Sequence, residues 1–342
     1  MRKHTALTPG IATAENARKS HLRPASAYSE NERLRDNTGT EPAGEPIGPR
    51  TFLLAVIVSV LWGGNLVSIR VGVDSVPPLW SAFWRMAVGV MVVAAWALSR
   101  GISIRPAPGE WKSLFYLGVL FTTQIGLLNS ASAMTSPSYG VVILNSYAVF
   151  ANIVGHFWRG PQLEDRLTGM RVLGLCVAIA GLAVLTLGQA PKALAPRPLL
   201  GNLLMVLSAF LLGYRQVYTR WLVQNVDPVR TVIWQMAWSV PLFFLIAVAS
   251  EPMVYGHVTW QAVAAILYQG FVVAGICFIV WAELLKKHSA GTLSMFSFLV
   301  PIAGIALSGW IFGEPLTPGL LIGGLLALVG VFIVTRVSSA TG

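Results

Sequence analysis

The chain has 342 residues, of which 55% are hydrophobic and only 11% are charged. Soluble proteins carry about 25% charged residues, so a soluble fold of this composition would expose a large apolar surface to water. The composition therefore excludes an ordinary soluble protein and indicates a protein that crosses a membrane several times.

The net charge of +10 does not indicate a nucleic-acid-binding surface. Residues 1–50 contain eight Lys or Arg and six Asp or Glu, so they contribute only +2. The other basic residues are scattered through short connections between apolar runs, whereas nucleic-acid binding requires many phosphate contacts from clustered basic residues. We therefore predict no nucleic-acid partner.

Residues 1–50 form a polar segment that is rich in Ala, Pro, Ser, Thr, Asn and Glu. Such a segment cannot bury enough apolar surface to fold alone, and we predict that it is a disordered tail. No apolar run precedes Thr51, so the sequence predicts no cleavable signal peptide.

Ten apolar runs follow, and a helix of about 20 apolar residues is long enough to cross the hydrocarbon core of a membrane. Because the connections are short, successive helices must alternate in direction. The predicted limits of the ten runs are 51–71, 77–98, 112–133, 138–158, 168–188, 199–221, 229–249, 259–284, 290–312 and 318–336.

Several predicted helix starts combine a capping side chain with a proline. Ser75, Asp227 and Thr317 each stand one or two residues before a proline, a pattern typical of helix N-termini. Glu314 lies in the turn between the last two runs, where capping or packing of the turn explains it.

Basic residues predict the orientation, because cytoplasmic connections carry an excess of Lys and Arg. With the N-terminus in the cytoplasm, the inner connections and their margins hold eleven basic residues, namely Arg100, Arg105, Lys112, Arg159, Arg166, Arg171, Arg220, Arg230, Lys286, Lys287 and Arg336. The outer connections hold three, namely Arg70, Lys192 and Arg197. We therefore predict an inner (plasma) membrane protein with both termini in the cytoplasm.

The sequence repeats itself at an interval of about 150 residues. VIVSVLWGGNLVSIR at 56–70 aligns with VLSAFLLGYRQVYTR at 206–220, and VPPLWSAFWRMA at 76–87 aligns with VDPVRTVIWQMA at 226–237. Each half has five runs, which is an odd number, so the second half must enter the membrane from the opposite side.

The predicted fold is an all-α integral membrane fold with ten transmembrane helices. They form two inverted five-helix repeats, 51–188 and 199–336, around a central cavity. Inverted repeats are typical of transporters that work by alternating access, in which one central site opens to either side in turn.

Two strings carry a family resemblance, LWGGNLVSIRVG in the first run and VPIAGIALSGWIFGEPLTPGLLIGGLLALVG across the last two. On these residues the chain resembles the EamA-type transporters of the drug/metabolite transporter superfamily, over about residues 51–336. The resemblance implies a bundle with a central cavity and the export or exchange of amino acids or other small metabolites. The first half departs from the pattern, with Asp165 where the second half has Glu314.

Polar groups at equivalent depth in the two halves are the first candidates for a substrate site. Arg85 aligns with Gln235, and Asn65 aligns with Arg215. Ionisable groups inside a membrane are costly and usually functional. Arg85 can hold a substrate carboxylate through two hydrogen bonds, or can be an anchor bonded to backbone carbonyls. Arg215 can also reach the cytoplasmic interface by snorkelling.

Further candidates for the cavity wall are Gln124, Asn145 and Tyr147 and the aromatic residues Trp84, Trp234 and Tyr214, and Gln269 is another polar residue inside a run. Each has an ordinary alternative, because polar side chains also join helices in membranes and aromatic side chains also fill space between them.

No pattern for catalysis, metal binding or cofactor binding is found in the sequence. The two cysteines and five histidines have no metal-ligand spacing, and no Gly-rich phosphate-binding loop occurs. The prediction is a secondary transporter without cofactor that exports a small-molecule substrate through the lipid bilayer, either passively or coupled to an ion such as the proton. The alternatives are a drug or nucleotide-sugar exporter, and a non-transporting membrane scaffold or enzyme.

Overall fold

The computed structural model describes residues 48–158, 169–187, 195–252, 257–285, 293 and 295–340. In these parts the chain is helical, and no strand occurs in them. The predicted tail lies outside the described residues up to position 47, and its last two residues, Pro49 and Arg50, already belong to the first helix.

The described residues before position 190 form α1 (Pro49–Val73), α2 (Pro78–Ser99), α3 (Trp111–Ser132), α4 (Pro137–Asn145), α5 (Tyr147–Phe157) and α6 (Gly169–Leu187). Those after it form α7 (Pro198–Leu222), α8 (Pro228–Ser250), α9 (Trp260–Leu267), a π-helical segment (Tyr268–Cys277), α10 (Phe278–Leu285), a 3₁₀ turn (Met295–Phe298), α11 (Leu299–Phe312) and α12 (Pro318–Ala340).

Within the described part of the chain, eight helical stretches are long and apolar enough to cross a membrane. One of them combines α4 and α5, and another runs from α9 through the π-helical segment into α10. Two further apolar helices, Phe296–Phe312 and Pro318–Val334, are shorter. These ten stretches lie at the positions of the ten predicted runs.

The run predicted over 138–158 is confirmed as the helical stretch Pro137–Phe157, and this stretch is interrupted at Ser146. The Asn145 Nδ2 donates to the Val141 carbonyl at 2.8 Å, and the Ser146 Oγ donates to the Ile143 carbonyl at 2.6 Å. Short polar side chains that bond nearby carbonyls compete with the regular helical pattern. Both bonds lie at the residues where the helix is interrupted.

Glycines bring α6 and α12 into direct backbone contact. A Cβ on Gly323 would lie 3.1 Å from the Gly181 carbonyl oxygen, and a Cβ on Gly181 or Gly330 would overlap the backbone nitrogen of Ala327 or Ala178, respectively. Gly181 meets the earlier part of α12 and Ala178 the later part, so the two helices are antiparallel. Small residues allow such close approach between membrane helices.

Two other glycines make matching contacts elsewhere in the bundle. A Cβ on Gly63 of α1 would lie 2.7 Å from the Val300 carbonyl oxygen of α11. A Cβ on Gly213 of α7 would lie 2.7 Å from the Tyr147 carbonyl oxygen of α5. Each contact joins a helix from one half of the chain to a helix from the other half.

The largest apolar core among the described residues joins α2, α3 and α8 to α1, α4, α6, α7, the π-helical segment and α12. On α2, α3 and α8 it includes Met86, Phe121, Met236 and Phe243, and each of these is at most 3% exposed. The polar candidate residues on these three helices are therefore held by a close-packed apolar surrounding.

Two of the predicted helix caps are confirmed. The Asp227 Oδ1 accepts from the backbone amides of Val229 at 2.9 Å and Arg230 at 3.1 Å. The Thr317 Oγ1 accepts from the Leu320 amide at 3.2 Å. Both caps satisfy amides that have no partner inside the first helical turn.

The predicted cap at Ser75 is wrong, because a distant carboxylate takes its place. The Glu251 carboxylate, just after α8, accepts from the Leu79 amide at 3.0 Å and the Trp80 amide at 3.2 Å. The Ser75 Oγ instead lies 3.2 Å from the Thr259 Oγ1. The connection after α8 thus caps α2.

Glu314 has the same relation to α4. Its Oε2 accepts from the Ser138 amide at 3.3 Å and from the Ser308 hydroxyl at 2.5 Å. The hydroxyls of Tyr139 and Thr317 lie 2.7 Å apart beside this contact. Two carboxylates from the second half therefore cap helices of the first half.

The close contact between α6 and α12 predicts that Gly181→Ala destabilises the protein. The added methyl overlaps a backbone nitrogen, which no rotamer change can relieve, and overpacking of this kind costs about 1–3 kcal/mol. Thermal unfolding of the detergent-purified protein is expected to show a midpoint several degrees lower. Gly324→Ala is the matched control on α12, because its Cβ would meet only Val142 at 3.8 Å. Equal midpoints for the two variants would contradict the contact.

The environment of Glu251 predicts how the stability of the protein changes with pH. Partial burial raises the pKa of Glu251 above its ordinary value of 4.5, and the amides of Leu79 and Trp80 act against this shift. An acid whose pKa is raised by folding contributes stability below its ordinary pKa and loses that contribution as pH rises through the folded value. As the pH is raised from 4, the midpoint of thermal unfolding of the wild type should therefore fall relative to that of Glu251→Gln. A constant difference across this pH range would contradict the shift.

Candidate functional site

Buried polar side chains join α3 to α7. The Gln124 Nε2 donates to the Ser208 Oγ at 3.1 Å, and the Ser208 hydroxyl donates to the Gln124 carbonyl at 3.0 Å. Gln124 is 1% exposed, and its Oε1 has no partner in the described structure. This pair fixes the distance between the two helices and leaves one amide oxygen free.

Arg215 of α7 turns into the protein, not toward the interface as the snorkelling alternative required. Its Nη1 donates to the Gln235 Oε1 of α8 at 2.9 Å. Its guanidinium carbon lies 4.8 Å from the centre of the Phe121 ring, a cation–π distance. The predicted residue Gln235 is thus bound to a cation.

Arg85 of α2 is 5% exposed. Its Nε and Nη1 are buried and have no hydrogen-bond partner among the described residues, so the anchoring bonds to backbone carbonyls are not found there. A buried donor without a partner costs about 1–3 kcal/mol, and more when the group is charged. Such a guanidinium is suited to binding an anionic group that arrives from outside the protein.

Asn65 of α1 also keeps an unused polar atom. Its backbone carbonyl accepts from the Ser68 hydroxyl at 2.7 Å. Its side-chain Oδ1 is buried and without a hydrogen-bond partner in the described parts of the chain. The side chain therefore has the capacity for one further hydrogen bond inside the bundle.

Asn145 and Tyr147 line a pocket of about 60 Å³ at the break between α4 and α5. The other lining residues are Val142, Ser146, Ala148, Ser297, Phe298, Ala327, Leu328 and Val331. The pocket thus lies where one interrupted helix faces the 3₁₀ turn before α11. Interrupted helices are a common source of substrate sites in transporters.

The three predicted aromatic wall residues have contacts with residues other than these polar groups. Trp84 is 46% exposed, and its ring lies against that of Phe83 with the ring centres 5.0 Å apart. The Trp234 Nε1 donates to the carbonyl of Ile104, in the α2–α3 connection, at 2.8 Å. The Tyr214 hydroxyl lies 3.1 Å from that of Tyr116. Their role in a substrate wall stays a prediction.

The sequence did not indicate which residues form the hydrogen bonds and the cation–π contact of the buried polar side chains. Ser208 and Phe121 complete the contacts of Gln124 and Arg215, but a single serine or phenylalanine in an apolar helix gives no signal. Within the described residues, no group of three or more His, Cys, Asp or Glu is placed to hold a metal ion.

Comparison with known proteins shows which family this chain matches. The EamA-like transporter family matches the chain twice, over residues 49–187 and 199–336. A probable amino-acid metabolite efflux pump of Escherichia coli is 27% identical, covering 82% of this chain and 93% of that protein. An uncharacterized transporter of Bacillus subtilis is 22% identical, covering 84% and 97%, respectively. A probable terminal-alkyne amino-acid exporter of Streptantibioticus cattleyicolor is 23% identical, covering 82% and 92%.

A solved crystal structure has the same fold. It is 20% identical to this chain, with a TM-score of 0.60, and the match covers 84% of this chain and 98% of the other. The two family matches together span most of the sequence and include every helix described above, apart from the first residue of α7 and the last four of α12. The chain therefore belongs to the EamA-like transporter family and is a multi-pass membrane transporter.

Proposed function

We propose that this protein is a secondary transporter that exports a small metabolite with a carboxylate group, such as an amino acid, by alternating access. The observation that carries this proposal is Arg85, a permanently charged side chain that is buried inside the bundle with two nitrogens unpaired among the described residues. A carboxylate substrate supplies the missing acceptors.

The relatives support the choice of substrate class. The names of two of them refer to amino-acid metabolite efflux and to amino-acid export. A nucleotide sugar carries more negative charge than an amino acid, and would call for a more cationic cavity than Arg85 and Arg215 provide. An amino acid fits one unpaired arginine better.

The proposed architecture is two inverted repeats of five helices each, with boundaries near 51–188 and 199–336. The two separate family matches support a duplication. The glycine contacts support an inverted one, since Gly63 and Gly213 are aligned positions in the two halves. They contact α11 and α5, respectively, at the same distance. The reciprocal contact of α6 with α12 fits the same pseudo-two-fold axis.

The proposed substrate site lies between the halves. Arg85 and Asn65 offer unpaired polar atoms from the first half, and Arg215 with Gln235 forms a polar surface from the second. Gln124 adds its free amide oxygen, and the pocket at Asn145 and Tyr147 gives a small space beside an interrupted helix.

Contacts at the two ends of the bundle are suited to act as gates. At the end predicted to face the cytoplasm, the Arg230 Nη1 donates to both oxygens of the Glu110 carboxylate at 2.8 Å. At the other end, Glu251 and Glu314 cap α2 and α4. All three contacts join the halves, so opening either end must break hydrogen bonds between them.

The excess of basic residues in alternate connections supports a location in the inner membrane with both termini in the cytoplasm. No phosphate-binding loop occurs in the sequence, so the energy comes from the substrate gradient or from an ion gradient. The proton is the ion that we propose for coupling, because partial burial raises the pKa of the Glu251 carboxyl at the outer gate.

The first test is transport by Arg85→Ala. Purified protein in liposomes should exchange radiolabelled L-amino acids, and the variant is expected to lose at least about tenfold in uptake, which is the loss of about 1.4 kcal/mol of binding. Arg85→Lys keeps the charge without the forked geometry and should lie in between. Arg105→Ala is the matched control, because Arg105 is exposed in the α2–α3 connection. If Arg85→Ala exchanges every L-amino acid of the panel as fast as the wild type does, the proposed site is wrong.

The second test addresses the inverted repeat. Asp74 and Gln224 occupy aligned, exposed positions in the connections α1–α2 and α7–α8. Each is replaced by cysteine in a chain whose Cys176 and Cys277 are changed to serine. A membrane-impermeant maleimide added to intact cells should label Asp74→Cys and leave Gln224→Cys unlabelled until the cells are permeabilised. Labelling of both in intact cells would contradict the inversion.

A further inference from the structure

The pocket of about 60 Å³ at the break between α4 and α5 is lined by both halves of the chain. Asn145 and Tyr147 line it from the first half, and Ser297 and Phe298 of the 3₁₀ turn line it from the second. Tyr147 is midway along the apolar stretch Pro137–Phe157. The pocket is therefore at the middle of a membrane span and between the halves, where transporters built from inverted repeats bind their substrates.

Glycine contacts indicate which residues of the two halves are equivalent. One glycine of α1 and its aligned partner in α7 each meet the same three atoms of another helix, namely the carbonyl oxygen of one residue, the Cβ of the third residue after it and the backbone nitrogen of the fourth. These residues are Val300, Ala303 and Gly304 for Gly63, and Tyr147, Phe150 and Ala151 for Gly213. Tyr147 thus corresponds to Val300 and, two residues earlier, Asn145 corresponds to Phe298.

The equivalent residues Asn145 and Phe298 line the same pocket. Two positions that a two-fold axis relates come close to each other only near that axis. The pocket is thus beside the pseudo-two-fold axis of the proposed inverted repeat. A group bound at this axis can be reached from either side as the halves exchange their conformations.

The wall of the pocket is largely apolar. The Asn145 amide nitrogen and the Ser146 hydroxyl already donate to carbonyls of α4. A charged group would lose its water here without gaining a charged partner, which is unfavourable. The wall therefore favours an apolar group. Among its described lining residues none is charged and six are apolar, namely Val142, Ala148, Phe298, Ala327, Leu328 and Val331.

The size and position of the pocket suit a side chain of moderate size. A water-sized group takes roughly 10–15 Å³, so the pocket holds about four to six such groups. A branched aliphatic side chain fits this space, whereas an indole ring exceeds it. Ala327 lines the pocket from the buried side of α12 and is 3% exposed, while Leu325 on the other side of that helix is 65% exposed. The pocket therefore faces the protein and not the surrounding lipid.

The pocket adjoins a cationic part of the proposed substrate site. A Cβ on Gly213 would lie 2.7 Å from the Tyr147 carbonyl oxygen, and Arg215 follows two residues later in α7. Arg215 interacts electrostatically with Tyr147 and is hydrogen-bonded to Gln235. A molecule with a charged end and an apolar side chain therefore finds both kinds of surface in neighbouring places.

We infer that this pocket receives the side chain of the transported amino acid and selects branched aliphatic side chains, such as those of valine, leucine and isoleucine, over aromatic and charged ones. The inference rests on the proposed function and adds to it the class of side chain. It also assigns the break at Ser146 a role, since the interruption of α4 and α5 is part of the wall that contacts the side chain.

The first test enlarges the pocket with Leu328→Ala. In liposomes, the wild type should exchange radiolabelled leucine at least about tenfold better than phenylalanine, a discrimination that an apolar pocket of limited size can give. Leu328→Ala should raise the ratio of phenylalanine to leucine exchange about tenfold. This ratio does not depend on how much folded protein the vesicles contain. Leu326→Ala is the matched control, because Leu326 is also partly buried in α12 but does not line the pocket.

The second test fills the pocket with Ala148→Leu. The longer side chain occupies the space that the substrate side chain needs, so exchange of leucine is expected to fall at least about tenfold. Exchange of alanine should change little, because its methyl group is too short to need the pocket. This variant also tests the inference if Leu328→Ala is poorly expressed.

Three results would contradict the inference and leave the proposed function intact. They are exchange of phenylalanine by the wild type as fast as that of leucine, an equal ratio for Leu328→Ala and Leu326→Ala, and an equal loss of alanine and leucine exchange in Ala148→Leu. If the wild type exchanges no amino acid at all, the proposed function itself is rejected.

Discussion

Direct backbone contact at glycines is the interaction on which the arrangement of this bundle depends. Helices surrounded by lipid gain little from hiding apolar side chains, because lipid tails are equally apolar, so close packing has to supply the attraction. Gly181, Gly323 and Gly330 let α6 and α12 touch along their backbones, and Gly63 and Gly213 do the same for helices of opposite halves. A methyl group at most of these positions would separate helices whose spacing also sets the positions of the buried polar residues.

Hydrogen-bonding groups at helix ends impose a second constraint, because an apolar surrounding offers them no water. Local caps were predictable, since Asp227 and Thr317 stand beside the amides they accept from. The cap of α2 was not, because Glu251 is more than 170 residues away in sequence from Leu79. Hydropathy likewise gave the positions of the ten helical stretches but not the interruption at Ser146, because an interruption within an apolar run leaves its hydropathy unchanged.

The same distinction applies to the candidate site. A polar residue in an apolar run is visible in the sequence, and Arg85, Gln124 and Gln235 are indeed buried. The direction in which a side chain points around its helix is not visible when the whole circumference is apolar. Trp84 and the buried Arg85 are neighbours in one apolar run, but the Trp84 side chain is 46% exposed and that of Arg85 is 5% exposed.

The predicted repeat relates two pairs of polar residues that differ in their bonding. Alignment places Arg215 and Gln235 of the second half over Asn65 and Arg85 of the first, so that the amide and the guanidinium exchange positions. In the second half the pair is bonded at 2.9 Å. In the first half, the Asn65 Oδ1 and two Arg85 nitrogens are buried and unbonded within the described structure. Inverted halves that work by alternating access exchange their environments during the cycle. Under the alternating access that we propose, the bonded residues of one half and the unbonded residues of the other correspond to two stages of one movement.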